Sequence, residues 1–394
     1  MSPFLPMPDP RLTIPPDAVQ MLPDRNASVP HLLSLRLPNP LRTTYRPTVS
    51  PWSNTPPSTV QPSVLKDHLI PPTGVVGRLL SATGHLSPQI RSIQRVAISP
   101  DNALPEHLPI WILNFWRQIH EAHQGRQQWK ICRDWVTSRP RAGVGLLDQL
   151  DRTLINIWWQ GYLNGRRRDR SVNDIFDLLS NGELNSGQVN DLLELIERGL
   201  TVRSDGLASL HLVAPTELAV LVVDSYHRHA DLDYRKQRIQ ISVEDDLVSG
   251  WKSSVSSAAW ISVSRCGHWV PYVVDPVSSS ITYGDSLGGS IPVTLREALR
   301  WWLLEHRKEM NLSTDKPVVV RSLPITRQDD NFSCGILATN AIGHHLLHDA
   351  LPLVRRDPTS IKAYRIKSTI EILKLDAEFV GYMRKIIECR LTIL

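Results

Sequence analysis

Residues 260–285 read WISVSRCGHWVPYVVDPVSSSITYGD, and residues 327–338 read RQDDNFSCGILA. The first stretch is rich in Trp, Ile, Val and Tyr, side chains that suit a pleated, half-buried surface. Asp275-Pro276-Val277-Ser278-Ser279-Ser280 interrupts it with turn chemistry. The pattern predicts strands over 260–264, 269–274 and from 281 to 283, joined as an antiparallel meander. The second stretch runs from a polar loop, 327–333, into Gly335-Ile336-Leu337-Ala338, which predicts a helix over 335–347.

Helical signals surround this strand-forming middle. Thr294 and Glu297 have capping-box spacing ahead of Leu295, Leu299, Trp302 and Leu303. Residues 366–389 read as an amphipathic helix and 217–229 as an apolar one. Asn185-Ser186 precedes Val189, Leu192, Leu193 and Ile196, with Gly199 as the expected stop. Residues 317–323 read as a strand, and 239–257 as a short strand and a loop. Strands in the middle with helices on either side predict an α+β domain.

Further out the texture changes. Residues 1–72 hold 17 of the 30 prolines. Proline fixes φ and removes a backbone donor, so residues 1–105 are expected to form a Pro-rich, largely disordered arm, with short ordered pieces near 75–80. Trp111, Phe115, Trp116 and Ile119 recur at helical spacing, and Trp129, Trp135, Trp158 and Trp159 follow. Such stripes read as core, and 106–164 as a helical accessory region. Residues 165–394 then form the domain that holds the motifs.

Composition narrows the class. Hydrophobic content of 41% supports a globular core, and no apolar run approaches the ~18 residues that cross a bilayer. The start, Met1-Ser2-Pro3-Phe4-Leu5-Pro6, lacks the basic and apolar regions of a secretory leader. Cys132, Cys266, Cys334 and Cys389 lie far apart, as in a reducing compartment. An intracellular protein is expected, with no membrane partner. The net charge of +5 is modest, and Arg166-Arg167-Arg168 with Arg170 reads as a solvated patch rather than a nucleic-acid site.

Four residue types in the central window fit one chemistry. A thiol nucleophile needs a base, the base needs an orienting acceptor, and the tetrahedral intermediate needs a donor for its oxyanion. Cys334 sits where a helix begins, so unpaired N–H groups there are expected to lower its pKa. Gly335 would let a substrate backbone approach. His268 stands at the start of a strand, and a hairpin brings Asp285 beside it to fix tautomer and orientation. Gln328 would direct its amide N–H at the oxyanion, and Trp269 would shield the imidazole or fill core. Taken singly, each is an ordinary structural residue; in the order His, Asp, Gln, Cys they predict a cysteine protease.

His268-Trp269, Tyr283-Gly284-Asp285-Ser286 and the run from Gln328 to Gly335 resemble the signature of the ubiquitin-like-specific (SUMO/sentrin-type) cysteine proteases and their transposon-associated relatives. The spacings are 17 residues from His to Asp, 43 from Asp to Gln and 6 from Gln to Cys. Gly182-Glu183-Leu184-Asn185-Ser186 is similar to the family's leading motif, with Glu183 where the family carries Trp and Ser186 where it is acidic. Ser333 likewise replaces an acidic or amide residue. The resemblance covers roughly 165–394. It implies a papain-like α+β fold with a central mixed or antiparallel sheet, and His268 as general base, Asp285 as orienter, Gln328 as oxyanion donor and Cys334 as nucleophile. Trp269, Gly335, Glu183 and Leu184 would line the substrate's path. The implied reaction is attack on the carbonyl after the C-terminus of a ubiquitin-like modifier, in a conjugate or precursor. It implies no metal or organic cofactor, a monomer, and nucleus or cytoplasm as the setting. The alternative is a non-catalytic, transposon-derived module that binds such a modifier.

Overall fold

The computed structural model describes residues 9–38, 45–53, 65, 70–85, 95–100, 106–163, 170–202, 211–228, 257–263 and 267–391. The arginine run 166–168, most of 239–257 and Cys266 lie outside them. The chain forms two compact units, one of residues 1–131 and 154–161, the other of 132–153 and 162–394.

The first unit contains α1 (Pro16–Val19), α2 (Val29–Ser34), β1 (Tyr45–Ser53), α3 (Thr73–His85), β2 (Arg95–Pro100), β3 (Glu106–Pro109) and most of α4 (Ile112–Thr137). Strands β1, β2 and β3 pair antiparallel in that order. Part of the stretch expected to lack structure is therefore ordered. Its prolines begin helices instead of breaking them: α1 and α2 each carry Pro in the first turn, where the missing N–H costs nothing. Leu12, Ala18, Leu65, Ile70 and Val76 share one core with Phe115, Trp116 and Ile119 of α4. Asn114 Nδ2 donates to the carbonyls of Asp9 and Leu12, both at 2.8 Å, tying the early chain to that helix.

The second unit follows with α5 (Val144–Leu154), the short pair β4 (Tyr162–Leu163) and β5 (Arg170–Ser171), α6 (Ile175–Leu178), α7 (Ser186–Val202), β6 (His211–Val213) and α8 (Leu218–His227). Then come β7 (Ser257–Val263), β8 (Trp269–Asp275), β9 (Ser280–Tyr283), α9 (Val293–Glu309), β10 (Val319–Ser322), α10 (Cys334–Leu347) and α11 (Pro358–Leu391). The division between the two units falls inside α4. Side chains explain its position: Trp135 Nε1 donates to Asn181 Oδ1 at 2.8 Å, and Lys362 Nζ donates to the carbonyl of Ser138 at 2.7 Å.

One mixed sheet organises this unit, in the order β10-β9-β8-β7-β6. The middle three strands are the expected antiparallel meander, and the outer two add in parallel. The fold is α+β. Val270, Tyr272, Val274 and Ile281 pack with Leu299, Trp302 and Leu303 of α9 and Val222 of α8. Strand β8 is buried along nearly its whole length, which gives a rigid support to whatever precedes it.

Three local expectations change. Helix α7 runs past Gly199 to Val202; a Cβ there would sit 3.2 Å from Leu347 Cδ1, so the glycine serves helix packing and not termination. Its start is as predicted: Asn185 Oδ1 accepts from Gln188 N at 3.1 Å while Gln188 Oε1 accepts from Asn185 N at 2.8 Å. Thr294 does not cap α9, which begins at Val293 after Pro292 with no side-chain cap. Helix α11 starts earlier than residue 366, because Asp357 accepts from Ser360 N at 2.9 Å and Pro358 opens the first turn. No described helix is long and apolar enough to cross a membrane.

Candidate active site

The β8–β9 hairpin sets the register that matters. Tyr272 lies opposite Tyr283, and Gly284 N donates to Pro271 O at 3.1 Å. Antiparallel pairing therefore carries the residues just after β9 back past the start of β8. His268 Nε2 and Asp285 Oδ1 meet there at 2.8 Å, both largely buried.

Asp285 is held from every side. Oδ1 also accepts from Leu287 N at 2.7 Å, and Oδ2 accepts from Tyr283 OH at 3.2 Å and from Gly289 N at 3.1 Å. Burial pushes its pKa up, but the hydrogen bonds from His268, Leu287 N–H and Tyr283, with the charge of His268, outweigh it and hold the carboxyl below its ordinary value. A carboxylate only accepts, so Nε2 of His268 is the donor in this pair. Arg327 covers this loop, donating to the Asp285 carbonyl at 3.2 Å. Gly288 lies beneath it at φ +87°, a backbone conformation that side chains rarely adopt.

Cys334 opens α10 and is buried. The loop before it is a closed turn: Asp330 Oδ1 accepts from Phe332 N at 3.0 Å and Ser333 N at 2.8 Å, and Oδ2 accepts from Ser333 Oγ at 2.7 Å. The backbone N–H groups of Trp269, Gly335 and Cys334 itself donate toward the sulfur. The first of these belongs to the residue after His268, so the thiol lies against the very start of β8. The expected lowering of the thiol pKa is not what results. Burial pushes it up, the three N–H groups pull it down by less, and the Glu183 charge adds to the rise. The helix-start donors are present, but desolvation wins.

Gln328 is tied to the same loops. Its N–H donates to Ser286 O at 3.0 Å, its Oε1 accepts from Ser286 Oγ at 2.7 Å, and its Nε2 donates to Asp330 O at 2.9 Å. One Nε2 proton remains for another acceptor. Ser286 is fully buried and decides which end of the amide faces which way. It was not singled out from sequence; its place directly after Asp285 was the available signal.

Of the four residues expected along the substrate's path, Trp269, Leu184 and Gly335 are buried and Glu183 is exposed. Trp269 Nε1 donates to Leu184 O at 2.7 Å. A Cβ on Gly335 would stand 3.2 Å from both Leu184 Cβ and Trp269 Cδ1. On its Cβ side Gly335 therefore packs against these two side chains, which form a wall beside the thiol.

Arg365 of α11 was also missed. Its Nη1 donates to the carbonyls of Asp177 (2.8 Å) and Ser180 (2.7 Å), and its Nη2 to those of Gly182 (2.9 Å) and Phe332 (3.0 Å).

No protein-family model matches the chain, and no curated protein does. Among solved structures it is similar to the SUMO protease Ulp1 with its catalytic cysteine oxidised to a sulfinic acid, at 15% identity and TM-score 0.42, over 60% of this chain and 98% of that one. The Ulp1 protease domain in complex with Smt3, the yeast ortholog of SUMO, aligns at 16% identity and TM-score 0.42 over 60% and 98%. The effector XopD of Xanthomonas campestris bound to ubiquitin aligns at 20% identity and TM-score 0.31 over 48% and 92%.

Proposed function

We propose that the chain is a cysteine peptidase or isopeptidase that cleaves after the C-terminus of a ubiquitin-like modifier. The observation that carries this reading is the His268–Asp285 pair at 2.8 Å, with α10, the helix that Cys334 opens, packed on β8, the strand that His268 precedes. In the proposed reaction His268 Nδ1 takes the thiol proton as the sulfur attacks the scissile carbonyl. Asp285 steadies the imidazolium that forms. The remaining Gln328 Nε2 proton and the Cys334 N–H donate to the oxyanion. The intermediate collapses as His268 returns its proton to the leaving amine, leaving a thioester that water hydrolyses. The resting thiol is held neutral by burial, so attack depends on His268 and not on a standing thiolate.

The modifier as substrate rests on the motif resemblance. The test is a panel of modifiers carrying C-terminal electrophiles, applied to wild type and Cys334→Ala. Labelling of the wild type alone is expected; equal labelling of both, or labelling of neither, would remove the enzyme reading. A second reading, modifier binding without cleavage, is favoured by the raised thiol pKa and the Glu183 charge. Tight binding of an unmodified modifier with no turnover of its conjugate would select it.

A further inference from the structure

Helix α11 carries two buried cations one turn apart, Lys362 and Arg365, and both spend their donors on backbone carbonyls. Lys362 serves the end of α4 through Ser138 O at 2.7 Å. Arg365 does something different, because its four acceptors come from two separate loops. Three run from Asp177 in the last turn of α6 through Ser180 to Gly182, one residue before Glu183. The fourth, Phe332, lies two residues before Cys334, and its ring sits 5.6 Å from the guanidinium carbon.

We infer that Arg365 is a positioning residue for the proposed reaction, one planar fork that fixes the spacing between the Gly182–Leu184 strip and the loop presenting Cys334. This rests on the reading of Cys334 as nucleophile. A planar guanidinium offers five donors in fixed directions, so two loops bonded to it cannot shift independently. The consequence passes directly to the thiol's surroundings. Leu184, two residues beyond Gly182, gives its carbonyl to Trp269, whose own N–H reaches the sulfur.

Charge reinforces the geometry. Burial lowers the Arg365 pKa to about 10, while Asp330, Cys334 when ionised, and Asp177 raise it, so the group stays cationic at neutral pH. Attraction between guanidinium and thiolate acts equally on both, so Arg365 favours ionisation of Cys334. A lysine at 365 keeps the charge but cannot reach four carbonyls; a methionine keeps neither.

The test compares full-length wild type, Arg365→Lys and Arg365→Met. The pH profile of Cys334 alkylation by iodoacetamide, read on the Cys334 peptide by mass spectrometry, needs no substrate recognition. Turnover of a fluorogenic modifier conjugate is measured alongside, with thermal unfolding to verify folding. Arg365→Met is expected to move the alkylation midpoint to higher pH, and Arg365→Lys to leave it near wild type. Both are expected to lower kcat about 10- to 100-fold while KM changes less. Wild-type midpoint and kcat in both variants, or a loss confined to KM, would overturn the inference. Failure of both to fold would also overturn it, reducing the residue to a structural one. Should wild type cleave no conjugate, the proposed function falls, and the alkylation midpoint of Arg365→Met still decides the role of Arg365.

Discussion

At the scale of single residues, the carboxylate of the site is held by more than its histidine. Asp285 keeps the Leu287 and Gly289 N–H groups and the Tyr283 hydroxyl even when His268 is absent. The socket should therefore outlast the imidazole, and a His268→Gly protein is expected to regain part of its turnover when free imidazole is added. No dependence on imidazole concentration would count against a preformed acceptor. In His268→Ala, alkylation of Cys334 should rise only above the ordinary thiol range, because burial raises that pKa; a profile with a neutral midpoint would contradict this. Ser286→Ala frees Gln328 Oε1 and lets the amide turn over. Turnover is expected to fall about tenfold or more with KM little changed, measured by steady-state kinetics. His268, Asp285, Gln328 and Cys334 were legible because their types and order match a chemistry. Ser286 was not, because its hydroxyl has meaning only once Gln328, distant in sequence, is beside it.

At the scale of elements, the wall beside the thiol depends on two close contacts. Gly335→Ala forces a methyl against Leu184 and Trp269 at 3.2 Å. Overpacking of this kind costs about 1–3 kcal/mol, so the denaturant midpoint should drop, and an unchanged midpoint would show that the wall yields freely. The sheet's middle was readable from its Trp, Val and Tyr runs and from the turn at Asp275, because strand period and turn chemistry are local. The ends of helices were less so. Thr294 and Glu297 have the right spacing, but Pro292 takes the cap position two residues earlier, so Thr294 falls inside α9. Gly199 looked like a stop because glycine usually is one; only the nearness of Leu347 shows why the helix continues. Asp357-Pro358 with Ser360 was a readable start signal for α11 that amphipathic periodicity obscured.

For the whole molecule, long-range partners separate what the sequence reveals from what it hides. The Pro-rich opening has no period, and its apolar residues are isolated along the chain. Yet Leu12 and Ala18 share a core with Phe115 and Trp116 of α4, a pairing that no local window contains. Electrostatics also act at this scale. Asp285 has a folded pKa below its ordinary 3.8. It therefore stabilises the fold above the unfolded value, and that contribution is lost as pH falls through the folded one. Acid unfolding of Asp285→Asn should show a weaker pH dependence below about 4 than wild type, with equal dependence excluding the linkage. Helix α11 has a consequence in time as well. A ribosome making this chain releases the histidine, aspartate, glutamine and cysteine before residue 365 appears. Until that guanidinium reaches the two loops it joins, a nascent chain should carry all four side chains yet stay silent toward electrophilic probes, if Arg365 acts as proposed.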